Sequence, residues 1–259
     1  MAKWTSTTVS LFRSAAIPAR LSRGIIASAG LALAAGGWLS FDRTLHTAGW
    51  VDLASHVRSG DERVPAARIE AATERLAAVR DPGADEFGAL AFLRYAAADD
   101  ALVRGDRAAW QRDLADAGDA ARRGLALSPA RADLAVALAE IEFLRHGPGP
   151  DVYQLLDLSF RTAPRDMWIV QRRIALGLRL IAVAPPDIAD HVVADIRILG
   201  APFADPEQYR ILAQAAFVAG PAAEATVERQ MGMGHPWAFG AFEKYLGELR
   251  AHAAQSRAK

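Results

Sequence analysis

The sequence predicts an all-α fold, a membrane-spanning helix followed by stacked antiparallel helix pairs, and three observations carry that prediction. An uncharged run occupies Gly24 to Phe41. Beyond it, apolar residues recur at three- and four-residue spacing with no alternating strand pattern. Finally, Pro129 and Pro164 stand 35 residues apart, each closing one amphipathic segment before another begins.

The run from Gly24 to Phe41 holds 18 residues, and Asp42 and Arg43 follow at once. As a helix it reaches roughly 27 Å, close to the ~30 Å hydrocarbon core of a bilayer. Four basic residues precede it, Lys3, Arg13, Arg20 and Arg23, with no acidic residue, whereas the residues just beyond it are of mixed sign. The positive-inside rule therefore predicts a cytoplasmic N-terminus over residues 1–23 and, in a bacterium, a periplasmic domain after residue 41. A cleaved signal peptide is the rival reading, since Ala27-Ser28-Ala29 and Ala32-Leu33-Ala34 fit a small-x-small cleavage site. More than twenty residues precede the apolar run, which favours an uncleaved anchor. An Arg- and Ser-containing, acid-free start also leaves a mitochondrial transit peptide open.

The chain has 259 residues with 30 basic and 30 acidic side chains, and 52% of it is hydrophobic, as expected of one folded domain and an anchor. Four of the basic residues lie in positions 1–41, so the remainder carries 26 basic against 30 acidic. This mildly acidic balance argues against a nucleic-acid partner. There is no Cys, which excludes disulfides, thiolate metal sites and Cys nucleophiles.

Helical periodicity places the elements in order over residues 42–254, with a disordered tail expected at 255–259. Pro65 suits a helix start, Ile69, Leu76 and Val79 form an apolar face, and Asp81-Pro82-Gly83 ends the helix. The next helix, 85–103, buries Phe87, Leu90 and Leu93 and breaks at Gly105-Asp106. Helices over 108–127 and 132–144 are antiparallel neighbours because Ser128-Pro129 leaves only a short connection. The run His146-Gly147-Pro148-Gly149-Pro150 forces a turn, and further helices are predicted at 151–162, 165–183, 186–199, 206–218, 221–231 and 238–252.

With Pro129 as the terminal proline of a 34-residue-type helical repeat, Ala117 falls at a small position of the second helix. Leu138-Ala139 then falls at the Leu-small pair of the following first helix, where small residues let helices approach closely. Trp168 and Arg173 depart from that pattern. The fold class that follows is a degenerate tetratricopeptide-like α-solenoid, with an irregular helical bundle as the alternative.

The residues Gly124 to Asp133, Leu155 to Ser159, Arg161-Thr162-Ala163-Pro164 and Trp168 also carry a resemblance. The segment 119–183 resembles the tetratricopeptide-like, single-pass membrane proteins associated with O-antigen and exopolysaccharide assembly in proteobacteria. In those proteins a Leu-Ser-Pro helix end precedes a Leu-Ala-rich helix, then a Ser-aromatic-x-Thr-(Gly/Ala)-Pro helix end and a Trp. Ser159-Phe160-Arg161-Thr162-Ala163-Pro164 matches the second element residue by residue. The resemblance covers about a quarter of the chain, and its motif is structural rather than catalytic. It implies an accessory scaffold in cell-surface polysaccharide assembly or export, seated in the bacterial inner membrane beside a polysaccharide polymerase, ligase or export protein. A periplasmic enzyme acting on envelope polymers, or a general envelope adaptor, is the alternative.

No catalytic or cofactor site is expected, and the chain is read as a non-enzyme. The six His residues, 46, 56, 146, 191, 235 and 252, have no i,i+4 pairing that makes a metal site. Asp99 and Asp100 are adjacent acids, but neighbours on a helix diverge by about 100°, which points to a solvated face. Gly232-x-Gly234 before His235-Pro236 follows no strand and reads as a turn. The candidate partner-binding residues are Arg165, Arg172 and Arg179, spaced by seven on one predicted helix, a stripe able to meet anionic glycan, lipid phosphate or an acidic partner. The competing expectation is that the stripe pairs with Asp133, Glu140 and Glu142 of the preceding repeat. Trp168 is expected to pack in the seam between helix pairs.

Overall fold

The computed structural model describes residues 47–57, 64–202, 204–234 and 236–257, which contain eleven helices and no strand. The segment 24–41 and its orientation lie outside the described residues, and no helix within them is long and apolar enough to cross a membrane. The chain divides between Gly49 and Trp50, and the architecture below is that of the unit from Trp50 onward.

A helical segment over residues 47–57, α1, precedes α2 (Ala66–Ala77), α3 (Ala84–Val103), α4 (Arg107–Leu127) and α5 (Ala132–His146). Then follow α6 (Pro150–Thr162), α7 (Met167–Leu180), α8 (Pro186–Leu199), α9 (Pro206–Ala219), α10 (Pro221–Gly232) and α11 (Pro236–Arg257). Local chemistry sets these boundaries. Proline occupies the first helical turn of α6, α8, α9 and α10, where its missing N–H costs nothing. Asp106, Asp166 and Asp205 cap α4, α7 and α9 by accepting from the backbone N–H of Ala109, Trp168 and Glu207 at 2.9–3.1 Å. Gly83 N–H donates to Glu86 Oε2 at 3.0 Å and starts α3. The Asp166 cap begins α7 at Met167 and leaves Arg165 in the preceding turn. Helix α11 continues through the first three residues of the expected 255–259 tail, with Ser256 Oγ donating to His252 O at 3.0 Å.

Consecutive helices pack on one another from α2 to α6 and again from α7 to α11, and the odd-numbered helices also pack in the order α3, α5, α7, α9, α11. The even-numbered α6, α8 and α10 form a second contacting row. This two-row order is consistent with a helical-repeat solenoid. Helix α5 sits deepest, with Ala132 through Ala139 buried without interruption. One apolar core runs from α6 to α11, and a second joins α1 through α5.

Two glycines mark where helices come closest. A Cβ on Gly177 of α7 would lie 2.8 Å from Val192 Cγ2 of α8, and one on Gly124 of α4 would lie 2.6 Å from Leu134 Cδ1 of α5. Leu134 can swing its methyl aside, but Val192 is stiff about χ1 and cannot. By contrast, Gly240 of α11 has open space around its Cβ position.

The largest fully buried side chain is Arg173, 1% exposed, and it fastens three helices. Its Nε and Nη2 donate to Asp195 of α8 at 2.5 and 2.7 Å. Nη1 donates to Ser159 O and Ala163 O, at 3.2 and 2.9 Å, and Nη2 to Pro164 O at 3.2 Å. These carbonyls belong to the end of α6 and the turn after it; Ser159 O also accepts from Ala163 N–H at 3.0 Å, whereas the last carbonyls of a helix lack intrahelical donors. The guanidinium also lies 4.3 Å from the Phe160 ring centroid, and the His191 ring stacks on Phe160 at 4.7 Å. Burial raises the Asp195 carboxyl above its ordinary range, and the hydrogen bonds and charge of Arg173 oppose that rise.

Two expectations follow for stability. Gly177→Ala is expected to lower the melting temperature by about 1 kcal/mol equivalent, an overpacking cost of ~1–3 kcal/mol less the ~1 kcal/mol helix-propensity gain. Gly240→Ala should raise stability by ~0.4–1 kcal/mol, and melts that moved in the same direction for both would contradict the packing described. Asp195→Ala leaves a buried guanidinium without its carboxylate and is expected to cost ~3–5 kcal/mol by denaturant titration.

Candidate functional site

The odd-numbered helices expose one continuous groove. Helix α3 contributes Phe92, Tyr95 and Asp99; α5 contributes Glu140, Phe143 and Leu144; α7 contributes Trp168, Gln171, Arg172, Ala175 and Arg179. Helix α9 closes it with Ile211, Gln214 and Val218. The groove has two adjoining hollows of 310 and 480 Å³, which share Tyr95, Glu140, Ala175 and Ile211. With Val57 of α1 at the larger hollow, side chains reach the groove from five odd-numbered helices, each turning a face toward the same side.

The Arg stripe is only partly realised here. Arg172 lines the larger hollow and Arg179 the smaller, whereas Arg165 is exposed in the turn before α7 and is not among the groove residues. Arg172 donates from Nη2 to Glu140 Oε2 at 3.0 Å. Its side chain is 16% exposed, and its guanidinium lies 4.9 Å from the Phe92 centroid and 5.9 Å from that of Trp168. The buried Nε has no conventional acceptor, so the aromatic faces take up that part of its charge. Arg172 is thus a wall element, pinned by one carboxylate and two rings. Asp133 and Glu142, the other partners expected for the stripe, pair instead with Arg131 at 2.7 Å and Arg122 at 2.5 Å.

Two groove charges have no ion-pair partner among the described residues. Arg179 is exposed and makes no ion pair among the described residues. Asp99, at the exposed rim, likewise makes no hydrogen bond or ion pair among them. Desolvation raises the Asp99 carboxyl from its ordinary value, Glu140 adds to the rise and Arg172 opposes it. The Tyr95 phenol is also pushed up, first by burial and then by Glu140 and Asp99, while Arg172 and Arg179 pull it down. One electrostatic cluster therefore spans α3, α5 and α7.

Trp168 is half-buried and serves two surfaces. It packs with Ala163 on the small cluster of Ala132, Val136 and Ile169, as expected of a seam residue, and it also lines the groove. Asp100, the sequence neighbour of Asp99, diverges to pair with Arg104 in a separate 530 Å³ hollow between α2, α3 and α4. There Arg94 is likewise paired, to Asp113 at 2.9 Å. Among the described residues no three His, Asp or Glu side chains come together to hold a metal ion. Of the candidate His residues, 46 and 235 lie outside the described residues.

Sequence reasoning did not assign Tyr95, Gln171, Ile211, Gln214 or Val218 to the site. The available signal was the repeat register, which puts α3, α5, α7 and α9 in equivalent positions, but only the two prolines near α4 and α6 marked that register. No family model, curated protein or solved structure matches the chain.

An acid whose folded pKa is raised opposes folding while it is ionised, and the opposition fades as pH falls through the raised value. Asp99→Asn is therefore expected to stabilise the domain slightly at pH 7, by less than ~1 kcal/mol at this exposed position. The gain should disappear as the pH approaches 4 in melts across a pH series, and a gain that grew toward acid would contradict the assignment.

Proposed function

We propose that this chain is a membrane-anchored, degenerate tetratricopeptide-like scaffold for cell-surface polysaccharide assembly or export. Residues 24–41 hold it in the bacterial inner membrane, and the helical domain lies in the periplasm. In this reading the groove docks an inner-membrane polymerase, ligase or export protein. The observation that carries the scaffold reading is the groove itself: five successive odd-numbered helices pool polar, aromatic and aliphatic side chains along one face. Partner recognition by such pooled faces is how helical repeats work, without chemistry of their own.

The polysaccharide setting rests on the resemblance of segment 119–183. Within that segment the matched residues serve helix ends: Ser159 and Phe160 are buried, and Ala163 and Pro164 offer carbonyls to Arg173. A motif that builds a repeat junction transfers architecture more directly than activity.

A second reading, an enzyme on envelope polymers, draws on one observation, the raised Asp99 carboxyl beside Glu140. Arg172 engages Glu140 as an ion pair, which suits a fixed wall better than a base free to take a proton.

Purification of the tagged full chain from detergent-solubilised membranes is the test. Recovery of a polysaccharide polymerase, ligase or exporter is expected. Turnover of envelope glycan by the purified chain with no such protein recovered would replace the scaffold with the enzyme.

A further inference from the structure

The two hollows of the groove differ in kind, and the difference identifies an occupant. The smaller, 310 Å³, has mainly apolar walls that include Phe143, Leu144, Leu176, Ile211 and Val218, with Val218 56% exposed although it is aliphatic. Over it stands Arg179, whose guanidinium has no ion pair among the described residues, with the Gln214 amide beside it. The larger hollow carries Asp99, an anion with no ion pair among the described residues, next to the paired Arg172 and Glu140.

Branched aliphatic walls of that volume fit an apolar side chain, which sugars lack. Sugar binding would also want an open aromatic face. Phe92 is 5% exposed, Tyr95 is partly buried, and Trp168 lies beside the Arg172 guanidinium. A protein segment meets every feature at once. Its backbone can hydrogen-bond the amides of Gln171 and Gln214, and an arginine fork matches a carboxylate bidentately.

We propose that, if the groove is the docking site described above, it takes an extended segment of a partner protein. An apolar side chain fills the hollow at Leu144, Ile211 and Val218, an acidic side chain beside it pairs with Arg179, and a basic side chain pairs with Asp99. The proposal rests on the scaffold reading for the site and adds the chemistry of what fills it. Charge complementarity sets the order along the groove, because the acid and base must lie on opposite sides of the shared residues Tyr95 and Ala175.

The test uses a phage-displayed random peptide library selected on the full chain in detergent, alongside selections on Arg179→Glu and Asp99→Lys. Both side chains are exposed, so the variants are expected to stay folded, and a melt of each checks this before selection. The parent should enrich an apolar residue with an acid on one side and a base on the other. Arg179→Glu should replace the acid by Lys or Arg, and Asp99→Lys should replace the base by Asp or Glu. A synthetic peptide of the parent consensus should bind Arg179→Glu at least tenfold more weakly, and Val218→Ser, which removes apolar surface without adding charge, should weaken it without changing the charge preference.

A consensus that does not change with either reversal would overturn the proposal, as would enrichment of nothing while neutral or uronate oligosaccharides bind. The two levels of the reading separate cleanly. Charge-switched consensus peptides together with a membrane pull-down empty of assembly proteins would retain this groove chemistry and remove the polysaccharide role. Assembly proteins recovered equally by parent and Arg179→Glu would do the reverse.

Discussion

The constraint on which the second half of the domain depends is the burial of a single guanidinium. Arg173 reaches from α7 to the end of α6, where it donates to the Ala163 and Pro164 carbonyls and adds a second hydrogen bond to Ser159 O, which already accepts from Ala163 N–H. A buried cation is costly, and Asp195 of α8 meets that cost with a bidentate pair. Three helices are consequently fixed by one side chain, with Phe160 below the guanidinium and His191 beyond the ring. Apolar packing alone would allow α6, α7 and α8 to slide. A donor set with fixed directions does not, and directional specificity is the property for which such a pair is retained.

A related clip sits one junction earlier. Arg131 donates to Asp133 through both Nε and Nη2 at 2.8 and 2.7 Å, and to Asp85 at the start of α3 at 2.7 Å. The helix ends before Pro129 and Pro164 therefore both adjoin Arg–carboxylate clips that tie a turn to neighbouring helices. Between the clips the chain uses small residues to bring helices close: Ala117, Ala121 and Gly124 on α4, Ala135, Ala137 and Ala139 on α5, and Gly177 on α7. Close approach leaves little room for large apolar side chains, so the charged clips supply direction where the core supplies only contact.

Helix order and type were legible in the sequence because the signals are local. Proline at first turns and glycine breaks each act within a few residues, and the periodicity of Leu, Ile and Val needs only one helix to read. The boundary of α7 shows the limit. Apolar and Arg spacing carried the predicted helix back to residue 165, but the Asp166 carboxylate accepts from Trp168 N–H and starts the helix after Arg165. The stripe of three arginines thereby became two. Arg173, flagged only as a departure from a repeat pattern, proved to be the buried tie, since burial of a charge depends on a partner 22 residues away. Asp99 and Glu140 are 41 positions apart in sequence, and only tertiary packing makes them electrostatic neighbours.

The same packing explains why the groove carries both signs of charge without collapsing on itself. Arg172 and Glu140 satisfy each other across α5 and α7, and the aromatic faces of Phe92 and Trp168 hold the guanidinium in the wall. That pair spends its charges on each other and ties α5 to α7 in the groove wall. Arg179 stands toward the end of α7, and Asp99 lies on α3. Because they are on different helices and unpaired, their attraction for an occupant is left intact, at the modest scale of exposed charges in water. Affinity must then come mainly from apolar burial, with the two charges setting direction and partner choice.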